Sequence, residues 1–154
     1  MSATDRPLAR RFGAALAAGA LGLLAACDAP VDAVVAKRQE NRREAERTTL
    51  ALKADLDRGA SVAIVSERAR RLIELQREFV GLFPEGSTRG SKALPLVWSD
   101  RAGFERASDA AIGAAERMAS VAANGGTRAT LEALYDYGKT CGACHDRYKA
   151  PGDE

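Results

Sequence analysis

The clearest chemistry in the sequence lies near its end, in Cys141-Gly142-Ala143-Cys144-His145. The spacing C-x-x-C-H is the pattern of c-type haem attachment. Cysteines three apart on a helix project to one side, so both thiols can reach the two vinyl groups along one region of a porphyrin. The next residue, His145, then reaches the iron as its axial ligand. Gly142 and Ala143 are small enough to let the backbone lie close to the ring. Three other chemistries compete for these residues. A disulfide within C-x-x-C fits an exported protein but would staple almost nothing and leave His145 without a role. A thiol–disulfide enzyme needs its attacking cysteine at a helix N-terminus, where the dipole lowers the thiol pKa; this pair falls in the last turns of its helix. A structural zinc site needs a second Cys/His cluster to complete a tetrahedral set, and the sequence has none.

The elements that must position this motif are helical. No run of alternating apolar and polar residues bounded by turn signals is present, so strands are not expected. Helical periodicity predicts four stretches. The first runs from after Pro30 to Asp57, before Arg58-Gly59. The second runs from Ser61 to Phe83, on Val62, Val65, Ala69, Leu72, Ile73, Phe79, Val80 and Phe83, and Pro84 ends it. A linker rich in Gly, Ser and Pro reaches Trp98. The third starts at Ser99, an N-cap residue type, and carries Phe104, Ala107, Ala111, Ala115, Met118 and Ala122 on one face. The fourth is capped by Thr127 and ends near Lys149. Its inward stripe is Leu131, Leu134, Gly138, Cys141, His145 and Tyr148. Four such helices with short connections predict an all-α fold, an antiparallel four-helix bundle with covalently attached haem.

The first stretch interrupts its own apolar pattern. Val31, Val34 and Val35 open a stripe that Ala45, Leu52 and Leu56 resume, but between them the inward positions are Arg38 and Arg42. A charge buried in a bundle seam is costly unless paired. Either this part overhangs the bundle and is solvated, or it faces a polar or anionic object inside it. Haem propionates would suit the second case, because arginine pairs with carboxylate bidentately.

The chain has 154 residues, 23 Lys+Arg against 21 Asp+Glu, and a net charge of +2. That balance argues against a nucleic-acid binder. Aromatic residues make up only 5%, so the core is either thin or completed by something other than protein. Residues 1–26 read as a secretory signal: Arg6, Arg10 and Arg11 precede an uncharged run from Phe12 to Ala26, too short to span a bilayer. Leu24-Ala25-Ala26-Cys27 is similar to a bacterial lipobox, which makes Cys27 a lipidation site and residues 27–30 a short tether. The leader holds three basic residues and Asp5, so the remainder has no net charge. Membrane attachment would therefore rest on the lipid at Cys27. The expected location is the periplasm.

A four-helix chain ending in C-x-x-C-H resembles the class II c-type cytochromes, the cytochrome c′ family. The resemblance covers residues 31–150. It is carried also by Ala36-Lys37-Arg38, Phe83-Pro84-Glu85-Gly86-Ser87, Lys92-Ala93-Leu94-Pro95-Leu96-Val97-Trp98, Phe104 and the run Cys141 to Lys149. It implies one haem c, thioethers at Cys141 and Cys144, and His145 as the proximal iron ligand. It further implies Arg38 beside a propionate and Lys149 on the proximal side. In the low-spin branch a Met four residues after that arginine ligates the iron; in the other branch an apolar residue leaves the position open. Here that position is Arg42, on the distal side, which fits neither pattern. The only His is His145, and Met118 reads as core packing, so a high-spin, five-coordinate iron is expected. The resemblance implies diatomic gases (NO, CO) or a redox protein as partners, and a possible homodimer through the first two helices.

The expected function is electron transfer, gas binding or both. No acid–base pair or substrate cleft is legible, so catalytic turnover is not implied. Three alternatives stand beside it: a low-spin carrier with an unidentified sixth ligand, a C-x-x-C thiol-redox protein, and a haem-free helical lipoprotein acting as an adaptor.

Overall fold

The computed structural model describes residues 32–124 and 126–152. The predicted leader, the tether and Cys27 lie outside them. Among these residues five α-helices follow in order: α1 (Ala33–Asp57), α2 (Val62–Phe79), the short α3 (Leu96–Ser99), α4 (Arg101–Asn124) and α5 (Thr127–Tyr148), with a 3-10 turn at Val80–Leu82. Among the described residues there is no strand, only an isolated antiparallel bridge between Ala93 and Lys149.

The long helices pack as an antiparallel four-helix bundle in the ring α1–α2–α4–α5, and the seam between α5 and α1 is the loosest. Polar ties set the first pair in register. Asn41 Nδ2 donates to the Leu75 carbonyl at 3.1 Å, Arg71 pairs with Glu44 at 2.7 Å, and the buried Asp55 is held by Arg58 and Arg68. The outer face of α1 is laced by pairs at helical spacing, such as Glu40 with Arg43 and Lys53 with Asp57, which suit a helix whose apolar stripe is interrupted.

Two helix starts differ from expectation. Ser99 does not cap the third long helix; it ends α3, and Asp100 takes the capping part, its Oδ1 accepting the Gly103 amide at 3.2 Å. The cap moves by one residue, to the position whose side chain reaches the free amide three residues on. Thr127 does not cap α5 either: it is the first helical residue, and Gly126 precedes it in an extended conformation without a side-chain cap.

The apolar interior falls into two clusters. One, built from Leu52, Leu56, Leu72, Ala115, Met118, Leu134 and Tyr137, closes the far end of the bundle. The other, Leu82, Phe83, Val97, Phe104 and Tyr148, lies under the 82–95 linker. Cys141 packs on the first and Cys144 on the second. The cysteine pair thus straddles the gap between them.

Candidate functional site

That gap is a cavity of two lobes, ≈ 320 Å³ and ≈ 290 Å³. Each is close to the lower bound of about 300 Å³ for small-molecule and cofactor sites, and together they fall well inside that range. Arg42, Phe79, Phe104, Cys144 and His145 line both lobes, so the two meet there. Helix α5 presents His145 and α1 presents Arg42 to the same space.

The lobes differ in chemistry. The first reaches toward Ala45, Ala107, Ala111, Tyr137 and Cys141, and is mostly apolar. The second is apolar to a similar degree, runs to the linker, and is lined as well by Arg38, Gln39, Lys92 and Lys149. A flat, apolar group with acidic substituents along one edge fits this gradient, and a haem is such a group. The buried Ser108 hydroxyl at the wall of the first lobe has no hydrogen-bond partner among the described residues. The Ser66 hydroxyl, which lines neither lobe, is likewise without a partner among the described residues.

Cys141 and Cys144 are unbonded thiols, half-buried. Burial pushes both thiols above the ordinary cysteine range, with the neighbouring Cys141 a second cause for Cys144. A raised pKa keeps thiolate scarce, the opposite of what a thiol–disulfide enzyme needs. No group of three or more His, Cys, Asp or Glu among the described residues is placed to hold a metal ion.

Arg38 is buried, at 6% exposure. The solvated-overhang reading of this part of α1 therefore fails at Arg38. Its Nε and Nη2 donate to the Leu82 carbonyl at 3.1 and 2.7 Å, Nη2 also to Ser87 Oγ at 2.8 Å, and Nη1 to Ser91 Oγ at 2.8 Å. The guanidinium also lies over the Phe83 ring, 3.7 Å from its centroid. Burial lowers its pKa from the ordinary arginine value. The residue expected beside a propionate thus clamps the linker that forms one wall of the second lobe. Gly86, with φ of +76°, provides the left-handed bend that turns the linker back toward it.

Lys149 lines the second lobe just past the end of α5, and Arg42 pairs with Glu46 at 3.7 Å. Met118 is fully buried in the far cluster and lines neither lobe. Tyr137 was not on the predicted stripe, yet it is buried, and its hydroxyl accepts from Gln76 Nε2 at 2.6 Å beside Cys141. Burial pushes that hydroxyl far above the ordinary tyrosine range. Its place one turn before Cys141 was the signal available in the sequence. The aromatic chain Phe79–Phe83–Phe104–Tyr148, with edge-to-face centroids 4.9, 4.8 and 5.4 Å apart, was visible only in part as separate apolar positions.

Comparisons with known proteins agree with this geometry. The family model for Cytochrome C′ matches residues 33–149. The chain is similar to cytochrome c′ of Rubrivivax gelatinosus, 35% identical over 60 residues, which is 39% of this chain and 46% of that protein. It is also similar to cytochrome c′ of Rhodospirillum rubrum, 32% identical over 87 residues, or 55% and 59%. The matched stretches thus span about half the length of these relatives. Among solved structures, a nitric oxide complex of a cytochrome c prime mutant from Alcaligenes xylosoxidans superposes with a TM-score of 0.71 at 24% identity, covering 77% of this chain and 94% of the other. The Rubrivivax gelatinosus cytochrome c′ crystal structure gives 0.65 at 25% identity, covering 73% and 91%. With the C-x-x-C-H motif lining the cavity of a four-helix bundle and the family match spanning nearly every described residue, the chain belongs to the cytochrome c′ family, whose cofactor is one covalently bound haem c.

Proposed function

We propose that Cys141 and Cys144 hold the haem through thioethers, that His145 is its axial ligand, and that the second axial position is left open for a diatomic gas. The observation that carries this reading is the cavity in which α5 presents all three residues while α1 presents none of the usual strong ligands. The α1 residues lining it are Val35, Arg38, Gln39, Asn41, Arg42, Ala45, Glu46, Thr49 and Leu50. A haem iron with one open position accepts and releases small gases and cycles between ferric and ferrous. The residues of this chain provide the rest: a largely apolar lining with Phe79 and Phe104 against both lobes, and Lys92 and Lys149 in the second lobe, whose charges suit carboxylates.

Nitric oxide binding by the Alcaligenes xylosoxidans proteins supports gas binding as the primary role, with electron transfer to a redox partner as the second. Export to the periplasm and lipid attachment at Cys27 complete the proposal. Among the described residues no helix is long and apolar enough to cross a membrane.

Ferric and ferrous visible spectra of the mature protein, with and without CO, test the reading. High-spin spectra in both states and CO uptake by the ferrous form are expected. A low-spin ferrous spectrum indifferent to CO overturns it in favour of a six-coordinate electron carrier. Detergent phase partition of wild type and Cys27→Ala tests the anchor, with release into the aqueous phase expected for the variant.

A further inference from the structure

We infer that diatomic ligands enter and leave the cavity through the seam between α1 and α5, at an aperture framed by Gly138 on α5 and Leu50 on α1. This deepens the gas-binding reading above and rests on it. The seam is the loosest in the bundle. Gly138 and Leu50 both line the first lobe and both are exposed, Leu50 to 62%, so each belongs at once to the cavity wall and to the surface. They also stand at matching heights. Arg42 and His145 line both lobes from the two helices. Gly138 precedes His145 by seven residues, and Thr49 follows Arg42 by seven. In antiparallel helices both steps run about 10 Å toward the same end, which brings Thr49 and Leu50 level with Gly138.

The residue types suit a passage. A glycine inside a helix is destabilising relative to alanine, and no close packing requires one here. A Cβ at Gly138 would meet no neighbouring side chain and no other helix within 4 Å. The missing side chain leaves width in the seam. Leu50 gives the opposite lip an apolar surface, and Thr49 beside it turns its hydroxyl back to the Ala45 carbonyl at 2.8 Å. A neutral gas crossing such a lip displaces no tightly held water. The second lobe also meets the surface, but its rim is tied. Gln39 Nε2 donates to the Gly90 carbonyl at 3.0 Å, and the Leu94 and Ala150 amides bind the linker to the tail.

A barrier in a shared passage slows entry and exit by the same factor and leaves the affinity unchanged. CO association by stopped flow and CO dissociation by displacement with nitric oxide, both on the ferrous holoprotein, read this in wild type, Gly138→Leu, Leu50→Trp and Ile64→Trp. Ile64 is exposed on α2 and lines neither lobe. Wild type that takes up no CO defeats the gas-binding reading, whereas uptake by wild type leaves the inference to the variants. Gly138→Leu and Leu50→Trp are each expected to slow both rates about 5- to 20-fold at constant Kd, with Ile64→Trp unchanged. Association as fast as in wild type in either seam variant overturns the inference. So does a loss of affinity without slower association, or slowing of equal size in Ile64→Trp. Should Gly138→Leu yield no holoprotein, Leu50→Trp decides by the same criterion.

Discussion

The Tyr148 hydroxyl donates to Oδ2 of Asp100 at 3.0 Å, joining the last turn of α5 to the start of α4. Arg147 meets the same oxygen at 2.7 Å, and the Gly103 amide donates to Oδ1 at 3.2 Å. One carboxylate therefore receives side chains from the turn that carries His145 and an amide from the helix opposite. The Tyr148 ring also packs edge-on against Phe104, which lines both lobes. The orientation of the histidine-bearing turn is fixed from below by this cluster.

A pH dependence follows. The Tyr148 hydroxyl, then the Gly103 amide and the nearby arginines, hold the Asp100 carboxyl below the usual aspartate range. A depressed folded pKa contributes stability above the unfolded value, about 3.9, and that contribution is lost as pH falls through the lower folded value. Asp100→Asn should unfold at a lower temperature than wild type at pH 7. The two should converge as the pH falls below the ordinary aspartate range.

Gly103 sits where α4 approaches this cluster. A Cβ there would collide with the Asp100 carboxylate and the Tyr148 hydroxyl. Gly103→Ala should therefore cost about 1–3 kcal/mol in urea unfolding. On the same helix Gly113 would meet only the movable end of Arg117, at 3.3 Å. Gly113→Ala should raise stability by about 0.5–1 kcal/mol, the usual helix-interior gain.

Arg38 supplies a third test. Arg38→Ala leaves the Leu82 carbonyl without its two guanidinium donors and should destabilise the protein by about 2–3 kcal/mol. Arg38→Lys keeps the charge but cannot reproduce the planar fork, so it should recover only a minor part. Limited proteolysis should show faster cleavage in residues 84–92 for both variants.

Covalent attachment can be counted directly. Cys141→Ser and Cys144→Ser should each retain haem through one remaining bond, and the double variant should lose covalent haem. Intact mass after denaturation reads the result. Haem retained covalently by the double variant would place the attachment elsewhere.

Much of this molecule is legible in its sequence because its chemistry is local. The haem motif lies within five consecutive residues, and the stripe from Phe104 to Ala122 repeats at helical spacing over one uninterrupted helix. The α4 boundary was less legible because Ser99 and Asp100 are both capable caps, and the choice was settled by the short helix α3 that ends at Ser99. Arg38 was marked as inward-facing, but its partners lie 44 to 53 positions along the chain in a linker without periodicity. Nothing local announces that a loop carbonyl will fold back onto a guanidinium. Tyr137 escaped for a related reason: it sits between Leu134 and Gly138, and the stripe drawn through Gly138 passed beside it. The partner that selected the tyrosine is Gln76, on another helix.

Past its last helix the chain turns back along the linker, and two amide hydrogen bonds join them: Leu94 N to the Tyr148 carbonyl at 2.9 Å, and Ala150 N to the Lys92 carbonyl at 2.7 Å. The stretch just beyond the imidazole is thereby laced to the segment bearing Lys92. Peptide groups thus connect the turn that bears His145 to the segment that lines the second lobe. Shortening the polypeptide by removing residues from Tyr148 onward would cut both strands of that tether, even with the C-x-x-C-H signature intact.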